Sequence, residues 1–237
     1  MPETANLNLP LVEPAQAQKH VTVNEAFARI DAALQLSVLS RSENTPPALN
    51  VEGDMYLVAL GGVNAWSGQD GKLAVFVNGG WDFMVPQTGW KIWAIDESAA
   101  LTFDGASWRG GVQAMSASKA AMRAEVVEID HVVIGGSATE TTTFVIPANT
   151  SVFAVTGLVL AEITGSLTSW SLGADGSTNR YGSGLGLAQG SFVQGLTGQP
   201  LSYYTAAPLT LTADAGSFAS GSVRLAVHLM RFDLPEV

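Results

Sequence analysis

Apolar positions first recur at three- and four-residue steps near the start of the chain. Val23, Phe27, Ile30, Leu34 and Val38 keep that spacing, and Thr22 with Glu25 three residues on has the form of a capping box. Arg29, Asp31 and Gln35 fall off the stripe. The spacing predicts a helix over about 23–39 whose stripe either packs on its own domain or meets copies of itself about a symmetry axis. Before it, Pro2, Pro10 and Pro14 keep residues 1–20 from forming a continuous helix.

After Asn44-Thr45-Pro46-Pro47 the pattern shortens to strands over 54–60, 73–78, 81–85, 91–96, 99–104 and 107–108. Gly61-Gly62, Asp70-Gly71, Asn78-Gly79-Gly80 and Asp104-Gly105 separate them, and glycine supplies the positive φ that tight hairpins need. Two segments, 76–81 and 102–108, echo each other as apolar strand, glycine turn and tryptophan. Residues 1–110 therefore read as a helix plus a small antiparallel β domain, with Trp66, Trp81, Trp90, Trp93 and Trp108 as its core. The small, barely patterned residues of 111–124 read as a helix-permissive linker.

From residue 125 onward the period is two. Val127, Ile129, His131 and Val133 alternate with Glu128, Asp130 and Val132; Val223, Leu225, Val227 and Leu229 alternate with Arg224, Ala226, His228 and Met230. Further strands are expected over 142–146, 152–163, 167–172, 185–193 and 209–212, about seven or eight in all. That density predicts a mainly β chain whose residues 125–237 form a β-sandwich or jelly-roll-like domain.

Composition adds a constraint on the surface. Of 237 residues, 47% are hydrophobic and 14% charged, against about 25% charged in ordinary globular domains. Between positions 132 and 222 the charges are Glu140, Glu162, Asp175, Arg180 and Asp214, which suits a subunit packed against its twins. Net charge is −10, which opposes non-specific binding to nucleic acid or anionic membranes. With no cysteine, disulfides, thiolate metal sites and thiol nucleophiles are excluded. The opening Met1-Pro2-Glu3-Thr4 lacks the basic and apolar regions of a secretory leader. The apolar stretch 152–163 is broken by Thr156 and Gly157 and is far shorter than the ~20 residues of a membrane helix.

Few groups have the spacing of a reaction centre. His20, His131 and His228 are far apart in sequence; the last two lie on strands and read as ordinary strand residues. Ser183 sits in Gly182-Ser183-Gly184, which lacks the spacing of a nucleophile elbow, and Gly182, Gly184 and Gly186 lack that of a dinucleotide loop. Asp96-Glu97, Glu162, Asp175 and Asp214 are scattered carboxylates. Asp175-Gly176-Ser177-Thr178-Asn179 has no terminal glutamate to close a calcium loop and reads as a turn. No catalytic, cofactor or metal residue is expected.

Sugars stack their C–H faces on aromatic rings and pair their hydroxyls with amides, carboxylates and guanidinium groups. Trp170, Asp175, Asn179, Arg180 and Tyr181 form one run of these types, and Gln199, Tyr203 and Tyr204 another. They are the candidate carbohydrate-binding residues. The alternative is that Trp170 and one tyrosine are core residues and the polar groups shape turns.

The stretch 10–27, including Gln16-Ala17-Gln18-Lys19-His20-Val21-Thr22-Val23-Asn24-Glu25, is followed by Gly53-Asp54-Met55-Tyr56 and Gly89-Trp90-Lys91-Ile92-Trp93. Over about residues 5–110 this resembles a phage-derived domain of unassigned function found in prophages and gene transfer agents. Residues 125–237 are more loosely similar to the terminal β domains of phage fibres, through the glycine-rich run 181–190. The resemblance implies a non-enzymatic head-spike fibre on a virion or gene transfer agent that attaches to host capsular polysaccharide. It also implies a homo-oligomer, a trimer by fibre class, whose other partners are the spike base or capsid. Such a protein needs no cofactor, binds no nucleic acid and enters no membrane; it is made in the bacterial cytoplasm, released by lysis and carried on the particle surface. A structural tail or spike adaptor, and a capsule depolymerase, are the alternatives.

Overall fold

A computed structural model describes residues 3–5, 11, 19–174 and 176–237, which divide between two units, Met1–Val112 and Gln113–Val237. In the first unit the amphipathic segment is a helix, α1, Lys19–Leu34. It begins ahead of the predicted start, so Thr22 lies within its first turn instead of capping it. It also ends early: Val38 belongs to β1, Ser37–Val38, and is completely buried there. The face that α1 turns inward is not the large-residue stripe. Ala32 and Asp31 are buried while Ile30 is 45% and Leu34 64% exposed. Asp31 accepts a hydrogen bond from the Thr4 hydroxyl at 2.8 Å, and Ala28 and Ala32 border a cavity with Val75, Val77 and Met84. Ala28 and Ala32 thus line the inner side, and Val23, Ile30 and Leu34 of the bulky stripe are left exposed.

The remaining strands of this unit are β2 Met55–Leu57, β3 Leu73–Val77, β4 Gly80–Met84, β5 Lys91–Ala94, β6 Ala99–Phe103 and β7 Trp108–Gly110. They build two sheets, β2-β3-β4 and β1-β5-β6-β7, with β1 parallel to β5 and the other neighbours antiparallel. The β3–β4 turn shows how sequence sets this geometry. Asn78 has φ 52° and Gly79 φ 75°, the paired positive angles of a two-residue hairpin turn, and asparagine and glycine tolerate them best. Leu57, Leu73, Val75, Ile92 and Leu101 form one core cluster; Tyr56, Trp66 and Trp81 form an aromatic one, with Trp66 and Trp81 edge to face at 5.1 Å. The tryptophans are not all core. Trp66 is fully buried, but Trp93, on the outward side of β5, is 47% exposed.

The stretch 111–124 is not a helix-permissive linker. It contains β8, Val112–Met115, and the start of β9, Ala121–Val132. A turn joins them, in which Ser116 and Ala120 exchange backbone contact and Lys119 adopts φ 61°. The alanines and serines that masked the pattern are the small residues of this hairpin. The chain continues through β10 Thr139–Ile146, β11 Thr150–Gly165, β12 Ser169–Ala174, β13 Ser177–Leu185, β14 Phe192–Tyr203, β15 Ala207–Asp214 and β16 Phe218–Phe232. The strand expected over 185–193 is instead largely the loop between β13 and β14, which turns at Gly190 with φ 85°.

Two antiparallel sheets result, β10-β15-β12-β13 and β14-β11-β16-β9-β8. Their inward residues, among them Val155, Trp170, Leu172, Leu211 and Leu225, make one core. The chain is mainly β, with one N-terminal helix and a terminal sandwich. At its heart Gly157 of β11 lies against Leu225 and the Arg224 carbonyl; an added Cβ would stand 2.6 Å from the leucine methyl.

Candidate functional site

Two of the candidate sugar-binding residues, Tyr181 and Tyr203, meet where the sandwich closes on itself. β13 is the edge of one sheet and β14 the edge of the other. Gly195 of β14 sits against the backbone carbonyl of Tyr181, where a side chain would clash. This close approach draws Tyr181 and Tyr203 together, and their hydroxyls bond at 2.6 Å inside the core. Burial first, and then the bond to Tyr203, push the Tyr181 hydroxyl far above the ordinary tyrosine range. It is a permanent neutral bridge between the sheets.

Three of the predicted stacking rings are therefore interior. Trp170 is 1% exposed, and its indole N–H donates to the Gly186 carbonyl at 3.0 Å; Tyr181 and Tyr203 are as buried. None offers an open ring face. Parity explains the loss, because an inward position on a strand spends its ring on the core. Tyr204, one residue beyond Tyr203, points outward and is 80% exposed. Asn179 and Gln199 are also exposed. Arg180 is half-buried, with its guanidinium carbon 5.9 Å from the centre of the Tyr203 ring. Its Nε is buried without a hydrogen-bond partner, and Arg180 makes no ion pair among the described residues. Asp175 lies outside the described residues. The reachable set is thus Asn179, Arg180, Gln199 and Tyr204.

Asp214 and Glu97 are committed to bonds of the fold. Asp214 accepts from the Ser171 and Ser169 hydroxyls at 2.7 and 2.8 Å and from the Gly184 N–H at 3.3 Å. Those bonds, the serine ones foremost, hold its carboxyl below the usual range. Glu97 takes a two-pronged bond from Arg41. His131 and His228 sit on neighbouring strands but pair with Val223 and Val126, so their rings project to opposite faces. His131 is inward, 3.9 Å from Glu140. Burial lowers its pKa, with Glu140 pulling the other way. His228 is on the outer face, 3.0 Å from the Thr156 hydroxyl. Among the described residues no three histidines or carboxylates group as metal ligands, and no helix is long and apolar enough to cross a membrane.

The geometry defines a mainly β chain whose terminal sandwich exposes Asn179, Gln199 and Tyr204 on or just beyond its edge strands. Comparison with known proteins locates the other unit. Residues 23–109 match a family described as a protein of unknown function, DUF2793. That span lies inside the region whose motifs resemble a phage-derived domain. No curated protein matches the chain. Among solved structures, a chain of the cyanophage Pam1 capsid asymmetric unit is similar at 21% identity. The alignment covers 46% of this chain and 86% of that one, with a TM-score of 0.31, and at that score the likeness makes no statement about fold.

Proposed function

We propose that the chain is a non-enzymatic subunit of a surface fibre or head spike on a phage-like particle, and that its sandwich attaches to host capsular polysaccharide. The motif resemblance in residues 5–110 supports the particle role. The observation that carries the attachment reading is the Arg180 guanidinium, whose Nε is buried without a hydrogen-bond partner and which makes no ion pair among the described residues. It stands on an edge strand that also exposes Asn179, while Gln199 and Tyr204 are exposed on and just beyond the edge strand of the other sheet. A ring, two amides and a spare guanidinium are the groups that stack on sugars and bond their hydroxyls or acidic substituents. Such a site binds weakly alone and gains strength from repetition on a particle.

The test is adsorption of the full chain to encapsulated and capsule-free cells of the same host, alongside binding to the purified capsule polymer. Selective adsorption to the capsule is expected. Tyr204→Ala or Arg180→Ala should each weaken binding about fivefold to tenfold, and polymer length should not change. Absence of adsorption, with recovery of particle proteins in its place, would assign the chain to a structural adaptor. Shortening of the polymer would make it a depolymerase.

A further inference from the structure

We infer that the outer face of the five-stranded sheet is an interface between copies of this chain. An antiparallel sheet with one face on a core and one in water alternates apolar with polar residues. Here the outward positions break that rule. Phe192 and Leu196 of β14 are each 69% exposed, and Leu158 of β11 and Val126 of β9 are exposed beside them. Register joins them into continuous rows: Leu196 pairs with Ala154, Ala154 with His228, and His228 with Val126. Large apolar side chains thus stand on the side of this sheet away from its core, interspersed with the polar ones expected there.

Size and charge select the occupant. Four outward rows cross four strands, and two more cross β16 and β9. With strands ~4.8 Å apart and ~3.4 Å per residue, the face spans roughly 600–700 Å². That whole face, its polar positions included, is near the ~800 Å² a standard interface takes from each partner. A chain of net charge −10 repels its own copies over most of its surface. In these rows the charged residues are Arg224, Asp130 and Glu128. Arg224 bonds Asp130 at 2.7 and 2.8 Å and lies 3.4 Å from Glu128; the outward positions in those rows on β11 and β14 carry no charge. These three groups sum to a formal −1 against −10 for the whole chain, so two copies meet here with far less like-charge repulsion than over the rest of the surface. A basic partner would find its complement elsewhere on the acidic surface.

The inference deepens the multi-copy part of the proposed function and does not depend on the glycan. Light scattering of the full chain should give a mass that is a whole multiple of 24.7 kDa. The double variant Phe192→Lys, Leu196→Lys should raise the dissociation constant at least about a hundredfold. Both positions are exposed, so its circular dichroism should match the parent. As the chain has no cysteine, a spin label on Gln194→Cys gives a second reading, a short label-to-label distance between copies. A wild-type monomer, a double variant that keeps the parent mass, or labels too far apart to couple would each overturn the inference. An oligomer that adsorbs to no capsule refutes the attachment reading and leaves this one standing; a capsule-binding monomer does the reverse.

Discussion

The two sheets of the sandwich face the same core and differ on their other sides. In β15 every second residue is buried from Ala207 to Ala213. Its outward neighbours run Thr139–Thr212–Ser171 and Thr141–Thr210, with Asp214 opposite Ser169. This face is hydroxyl-rich. In β16 every second residue from Val223 to Leu229 is also buried, but the outward ones are Arg224, Ala226, His228 and Met230, beside Leu158, Phe192 and Leu196. Inward alternation marks a strand in both sheets. Only the chemistry of the outward positions separates a face lined by hydroxyls and a carboxylate from one that carries large apolar side chains.

If the two sheets share one core, equal deletions in each should hurt equally. Leu211 of β15 and Leu225 of β16 are both completely buried in the same cluster. Leu211→Ala and Leu225→Ala should each destabilise the sandwich by about 2–5 kcal/mol in urea unfolding. A much smaller loss for Leu225→Ala would show that the sheets do not stand on common packing.

The inward half of this pattern was legible from the sequence and the outward half was not. Alternation located β9, β15 and β16 because large apolar residues stand at every second place. It failed for β8 and the start of β9, where serine and alanine carry little contrast, and for 185–193, where Leu185, Leu187 and Val193 imitate a strand across a glycine turn. In α1 Ile30 and Leu34 of the large-residue stripe are exposed while Asp31 and Ala32 between them are buried, which bulk alone does not suggest. The sugar-binding residues divide by the same parity. Tyr203 and Tyr204 are consecutive and must point opposite ways on extended chain, so the sequence could say that one was interior but not which. Trp170 and Tyr181 became core residues, and Trp93, assigned to a core, became a surface residue, because face is fixed by register with neighbours that are distant in sequence.

A second contrast concerns the carboxylate on each outer face. Both Asp214 and Asp130 are held below the usual range, the first mainly by Ser171 and Ser169, the second mainly by Arg224. A depressed carboxyl contributes stability that is complete above its unfolded pKa near 4 and is lost as pH falls through the lower folded value. Asp214→Ala should therefore cost about 1 kcal/mol at neutral pH after solvent screening, and the variant should lose less stability than the parent below about pH 4. Asp130→Ala should cost less in the dissociated chain, where its pair with Arg224 is half exposed. Equal losses measured by urea unfolding would place the two faces in the same surroundings.

The smallest effect tests the hydroxyl face itself. Thr212 stands between Thr139 and Ser171 in the outward row, yet its own hydroxyl oxygen is buried without a hydrogen-bond partner. A buried polar atom that bonds nothing opposes folding, whereas the methyl group that replaces it in Thr212→Val has the same shape and no such requirement. Valine also suits extended backbone as well as threonine does. Thr212→Val should therefore leave the fold intact and raise stability by up to about 1 kcal/mol, seen as a small upward shift of the thermal midpoint. A loss of stability would mean that this hydroxyl does hold a partner, so that the water-facing sheet is knit more tightly through its threonines than the bonds of Asp214 alone provide.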